Sequence, residues 1–254
     1  MSLTMIVTLL IVALIPIAWY ASLVQTVLHA SIDELATWTS RSPETLPLPD
    51  HVAHAEQRLR EELCALGFES RGDIHQDQRF FLAMFAHPGT GDRAIVLSDG
   101  TNSELPSIPC FSTFHEEGLW IETFQTVLPS LPVPAPRREA FYFPEVTELA
   151  ALHRRHRALC SHLAGSPVVM SVPGTELDEL NELSEKAVQR RVEAGLLRPV
   201  VETGRYRMTL RAALRTTWRL FEPFLTIREQ LDGRRNERAL AATGFSDEAT
   251  PTRS

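Results

Sequence analysis

Among the residues that could do chemistry, the histidines come first: the chain of 254 residues has nine, and four of them form two close pairs. His51 with His54, and His153 with His156, are HxxH pairs, and a helix would set each pair on one face where a metal could bridge them. The second pair lies in HRRHR, whose arginines would repel a cation, and no acidic or cysteine ligand stands at a matching spacing. Both pairs therefore read as solvated helix surface, and neither a metal nor any other cofactor is expected. Glu116, Glu117 and Glu122 could supply an acid–base pair. A polar turn through Glu116-Glu117-Gly118 accounts for the first two, and strand alternation makes Glu122 a solvent-facing residue. The chain contains no GxSxG, HExxH, Walker-type loop or GxGxxG, so motif spacing assembles no catalytic constellation.

The most informative polar feature is basic. Lys186, Arg190, Arg191, Arg198, Arg205, Arg207, Arg211, Arg215 and Arg219 fall within 186–219, opposed only by Glu193 and Glu202. Arg207, Arg211, Arg215 and Arg219 recur every four residues and follow one flank of a helix. Leu210, Leu214, Trp218, Phe221 and Leu225 follow the adjoining flank. An arginine border beside an apolar stripe is how an interfacial helix meets anionic lipid. The alternative is an amphipathic helix that buries its stripe in the protein's own core. The candidate membrane-surface or nucleic-acid contacts are Arg190, Arg191, Arg205, Arg207, Arg211, Arg215, Arg219 and Trp218.

Composition sets the frame for these residues. The apolar fraction of 44% and charged fraction of 22% are ordinary for a globular protein. A net charge of −7 opposes wholesale nucleic-acid binding while leaving room for a local basic patch. Cys64, Cys110 and Cys160 lie far apart with no CxxC pair, which argues against a zinc ribbon, a redox motif or a disulfide framework.

The elements that must position these side chains can be read from periodicity. Residues 3–24 carry no charge and are long enough to cross a hydrocarbon core of roughly 30 Å, with Trp19 and Tyr20 toward the far end. A cleaved signal peptide fits less well, because the start has no basic side chain and no small-residue cleavage site follows. Residues 1–28 are thus expected to be a single-pass transmembrane anchor. Arg41, Arg58 and Arg60 then put the remaining chain on the cytoplasmic side. A proline-bearing tether is expected over 29–50. An α+β domain over 51–164 follows, with helices near 51–66 and 145–163 on a four-stranded antiparallel sheet. Its strands are read at 79–88, at 93–100 and as a hairpin within 110–127. A helical C-terminal region with a short hairpin is expected over 165–244, and a disordered tail over 245–254.

Two resemblances add to this reading. The segment AVQRRVEAGLLRPVVETGRYRMTLRAAL, about 186–214, resembles the end of a winged-helix DNA-binding module. That resemblance implies groove or phosphate contacts for Arg190 and Arg191 and a wing contact for Arg205, although no clear second helix and tight turn precede residue 186. The order of an apolar start, LxxLGF, a strand ending in HP and an F-x-T-x-F…G-x-x-x-x-T hairpin resembles uncharacterised bacterial membrane-anchored proteins. Leu63, Leu66, Gly67, Phe68, His87, Pro88, Phe111, Thr113, Phe114, Gly118 and Thr123 carry it. It implies a bacterial inner-membrane location, no known activity, and structural roles for those residues. The expected function is therefore a membrane-anchored binding or scaffolding protein, its partners the lipid bilayer, anionic head groups or another membrane protein. A membrane-tethered DNA-binding regulator and an enzyme with an unmarked site are the alternatives, and nucleic acid is the less favoured partner.

Overall fold

A computed structural model describes residues 20–25, 28, 39–41, 46–76, 80–102, 107–125, 138–170, 172–200, 205–220 and 224–245. Along the chain the elements are β1 (Thr39–Ser40), α1 (Asp50–Ala65), β2 (Glu69–Gln76), β3 (Phe80–Ala86), β4 (Arg93–Asp99), β5 (Ile108–Phe114), β6 (Trp120–Phe124) and β7 (Arg138–Tyr142). There follow α2 (Leu149–Leu163), α3 (Glu176–Glu193), β8 (Leu197–Val200), β9 (Arg205–Met208), α4 (Leu210–Leu220) and α5 (Phe224–Ala242). The chain divides into two compact units. The larger comprises Ala36–Leu128, Ala135–Leu183 and Glu229–Ser254, and the smaller Met1–Leu35, Pro129–Pro134 and Ser184–Arg228.

The larger unit is built on a seven-stranded sheet in the order β1-β2-β3-β4-β5-β6-β7, antiparallel throughout except that β7 runs parallel to β6. Alternation along the strands sends Ala83, Phe85, Ala94, Val96, Phe111, Ile121 and Phe141 to one face. There they meet Leu59 and Leu63 of α1 and Leu149, Leu152 and Leu159 of α2, whose helical spacing supplies the matching stripe. Phe85, Phe111 and Phe141 are almost wholly buried, each contributing roughly 1.5–3 kcal/mol through area removed from water. On the opposite face Ile74, Leu82 and Met84 pack with Leu177 and Leu180 at the start of α3. A cation–π ladder also crosses that face. Arg138 lies 4.5 Å above Trp120, Trp120 stacks on Phe114, and Arg93 lies 5.0 Å above Phe114.

Two glycines fix the turns that deliver the candidate site. Gly67 ends α1 in the left-handed region (φ +89°), where Phe68 N–H returns to the Leu63 carbonyl. Gly91 (φ +72°) closes the turn before β4, and a Cβ there would lie 2.7 Å from Val168 Cγ1 and 2.8 Å from Met170 Sδ. Gly91→Ala combines backbone strain with these collisions, so a loss of about 2–3 kcal/mol is expected in urea denaturation. A loss below 0.5 kcal/mol would show that the turn relaxes freely.

In the smaller unit the end of α3 packs Val188 and Val192 against Leu197, Tyr206 and Met208 of the β8–β9 hairpin. Thr209 then starts α4: its hydroxyl donates to the Gly195 carbonyl at 2.8 Å and accepts from Ala212 N–H at 3.3 Å.

Three expectations need correcting. The α+β class stands, but the sheet has seven strands where four were expected. The missed strands carry weak signals. β2 reads ESRGDIHQ, polar and bulged between Ser70 and Gly72, while β1 has two residues and β7 five. The transmembrane anchor is the second correction. Its residues 1–19 lie outside the described residues, and among the described residues no helix is long and apolar enough to cross a membrane. The described end of that apolar run, 20–25, is a short helix whose Val24 is 6% exposed and whose Tyr20 hydroxyl donates to the Leu214 carbonyl at 3.1 Å. With no helix of that length and apolarity among the described residues, the span, and the inner-membrane location that rested on it, are withdrawn. The expected tail, from 246 onward, lies outside the described residues. The third correction concerns side chains read as solvated, taken up next.

Candidate functional site

The HRRHR segment is not a solvated surface. It lies on α2, where His156 is wholly buried and His153 keeps 14% of its side chain exposed. Helical spacing puts His153, His156, Arg157 and Cys160 along one side of α2, and that side meets polar residues pointing inward from the sheet. Asp92, delivered by the turn from His87 to Gly91, stands at the centre and is fully buried.

Four side-chain donors converge on the Asp92 carboxylate. Oδ1 accepts from the Thr113 hydroxyl at 2.7 Å and from Arg157 at 3.0 Å. Oδ2 accepts from the Thr90 hydroxyl at 2.8 Å and from His153 Nε2 at 3.0 Å. Burial alone would raise this carboxyl, but the bonds from His153, Thr113 and Arg157 outweigh it and hold the group well below the usual carboxylate range.

The polarity of the next bonds follows from counting hydrogens. Thr113 spends its only hydrogen on Asp92, so it must accept from His156 Nε2 at 2.8 Å. His156 Nδ1 is then the acceptor for the Thr123 hydroxyl at 2.7 Å. The result is a one-way chain, Thr123 to His156 to Thr113 to Asp92, spanning β6, α2, β5 and the turn before β4. It requires a neutral imidazole, and burial pushes His156 down to about 3. The Cys160 thiol, 3.5 Å from His156 Nε2, is pushed up to about 12 by burial and stays protonated.

The remaining candidates scatter. His87 accepts the Gly89 and Thr90 amides on Nδ1 and stacks 6.2 Å from His153. His115 bonds the Ser166 carbonyl through Nδ1 at 3.0 Å. His51 and His54 on α1 bond the carbonyls of Asp99 and Asp50. Among the described residues no group of histidine, cysteine and acidic side chains is arranged to hold a metal. Glu122, expected at the surface, is 5% exposed and paired with Arg138, and burial raises its carboxyl. Alternation was read correctly; which face the protein covers was not.

The basic candidates gather in the smaller unit. Arg190 near the end of α3, Arg207 on β9, and Arg211 and Arg215 on α4 are exposed, as are Lys186 and Arg198, while Arg191 is half-buried. Arg205 lies on β9 and Trp218 and Arg219 on α4; their side chains are outside the described set. On α4 the buried positions are Ala212, Ala213, Thr216 and Thr217. Leu210 and Leu214 face outward at 58% and 41% exposure, and with Tyr20, Arg211 and Arg215 they line a shallow apolar hollow. The apolar stripe is therefore not spent on the protein's own core at these two positions.

Comparisons with protein-family models, with curated proteins and with solved structures return no match.

Proposed function

We propose that this chain is a binding protein whose α4 face docks onto an anionic surface that also accepts apolar side chains, as a lipid head-group layer does. One observation carries the reading: Leu210 and Leu214 are exposed beside exposed Arg211 and Arg215, while the small residues of α4 are the buried ones. Exposed leucines bordered by arginines match a partner that is apolar below and anionic above. The contact needs no helix that crosses a bilayer.

Each basic side chain near an anionic lipid surface contributes about 1 kcal/mol. Arg211→Glu with Arg215→Glu in the full chain is thus expected to weaken partition onto phosphatidylglycerol vesicles by about 30-fold or more. Partition onto neutral phosphatidylcholine vesicles should change far less, and raised salt should mimic the double variant. Equal partition of wild type and variant onto anionic vesicles would sink the reading.

The nucleic-acid alternative draws on the β8–β9 hairpin after α3, with Arg190, Arg198 and Arg207 exposed. Against it, the helix preceding α3 in sequence, α2, ends at Leu163, well before α3 begins at Glu176, and packs its leucines on the seven-stranded sheet, so no tight turn joins a second helix to α3. Tight duplex-DNA binding with a steep salt dependence, and no preference for anionic vesicles, would favour it instead.

A further inference from the structure

The polar cluster on the larger unit offers chemistry that a docking face does not use. Asp92 takes the Nε2 hydrogen of His153, so a neutral His153 carries its lone pair on Nδ1. Among the described residues Nδ1 makes no hydrogen bond, and 14% of the side chain remains exposed. The ring cannot easily turn away. Phe68 meets it edge-on at 5.0 Å, Phe111 lies 5.0 Å from it, and His87 stacks at 6.2 Å. Asp92 is itself fixed by Thr90, Thr113 and Arg157. A buried carboxylate that sets the tautomer of a part-exposed imidazole is the orienting half of a nucleophilic or general-base site.

We infer that His153 is a catalytic residue acting through Nδ1 on the acyl carbon of small esters, with Asp92 as its positioning residue. The Nδ1 lone pair forms the N–C bond as the ester C–O bond breaks, and the alkoxide or phenolate leaves with the bonding pair. The acylated ring keeps its Nε2 hydrogen, and the Asp92 carboxylate balances its positive charge. Water then adds to the acyl carbon and loses one proton to solvent, the C–N bond breaks with its pair returning to Nδ1, and the carboxylic acid departs and ionises in solvent.

The test uses the full chain and p-nitrophenyl acetate, without vesicles, so its outcome is independent of the lipid reading. Wild type is expected to release p-nitrophenolate faster than nine equivalents of free imidazole, matching its nine histidines. His153→Gln can still donate an amide hydrogen to Asp92 and is expected to lose at least about tenfold in kcat/KM. Asp92→Asn is expected to lower kcat with KM unchanged, because the ester is still bound but the imidazole is misoriented. A His153→Gln protein that hydrolyses at the wild-type rate overturns the inference, as does a wild type no faster than the imidazole control. A faster Asp92→Asn protein would mark His153 as a structural group merely loosened by the change. Should Asp92→Asn fail to fold, the His153→Gln and imidazole arms decide alone.

Discussion

Asp92→Ala is expected to lower the stability of the larger unit by about 3–5 kcal/mol, the range for removing one partner of a buried ionic group. The carboxylate is fully buried and receives Thr90, Thr113, His153 and Arg157. Arg157 keeps 37% of its side chain exposed and can turn to water, so its loss is the smaller part. Thr113 cannot: it is wholly buried, and its stranded hydroxyl alone costs about 1–3 kcal/mol. The one-way chain also loses its end, so Thr113 could turn its hydrogen toward His156 and leave two donors facing each other. Urea denaturation should show a lower midpoint at unchanged slope. A cost under about 1 kcal/mol would mean that water replaces the carboxylate, and the cluster would then be no determinant of the fold.

Acid should undo the same cluster at a pH set by His156. In the folded chain this imidazole is held neutral down to about pH 3, whereas an unfolded histidine takes a proton near 6.5. Between those values the unfolded state binds one more proton than the folded state, so stability falls as pH falls. The slope is about 1.4 kcal/mol for each pH unit once the pH is well below 6.5. Asp92 acts lower down. Its folded value is depressed, so its contribution is present above the ordinary carboxylate value and is lost as the pH drops below it. Denaturation midpoints measured from pH 7.5 to 4.5 should therefore decline, and His156→Gln should flatten that decline while costing stability at pH 7.5. The difference between the two proteins is the diagnostic quantity. Parallel profiles for wild type and His156→Gln would refute the assignment of a neutral His156.

The residue pattern carries a signal for part of this cluster, although the His153–His156 pair was read as solvated surface. Phe111 and Thr113 share a strand face, and so do Ile121 and Thr123, so each of two neighbouring strands sends one hydroxyl inward among apolar residues. His153, His156 and Leu149, Leu152, Leu159 recur on one side of a helix. Polar residues on a face that must be buried call for partners, and that was the available signal. What could not be read was Asp92, which lies in a glycine-containing turn where an aspartate ordinarily serves only the turn.

The residue pattern by itself determined the strands β3 to β6, the helices α1 to α5 and the β8–β9 hairpin, because periodicities of 2 and 3.6 and glycine stops act locally. It also determined that α4 carries leucines beside arginines. Whether those leucines are covered depends on how close other elements approach, and in the fold Ala212, Ala213, Thr216 and Thr217 take the inner side, leaving Leu210 and Leu214 outside. Tertiary structure alone decided that polar β2 and short β7 join the sheet, since strand pairing supplies hydrogen bonds that composition does not advertise. It alone decided that His156 and Glu122 are buried, because a charge-bearing side chain can be enclosed only where the fold supplies its partners at hydrogen-bond distance.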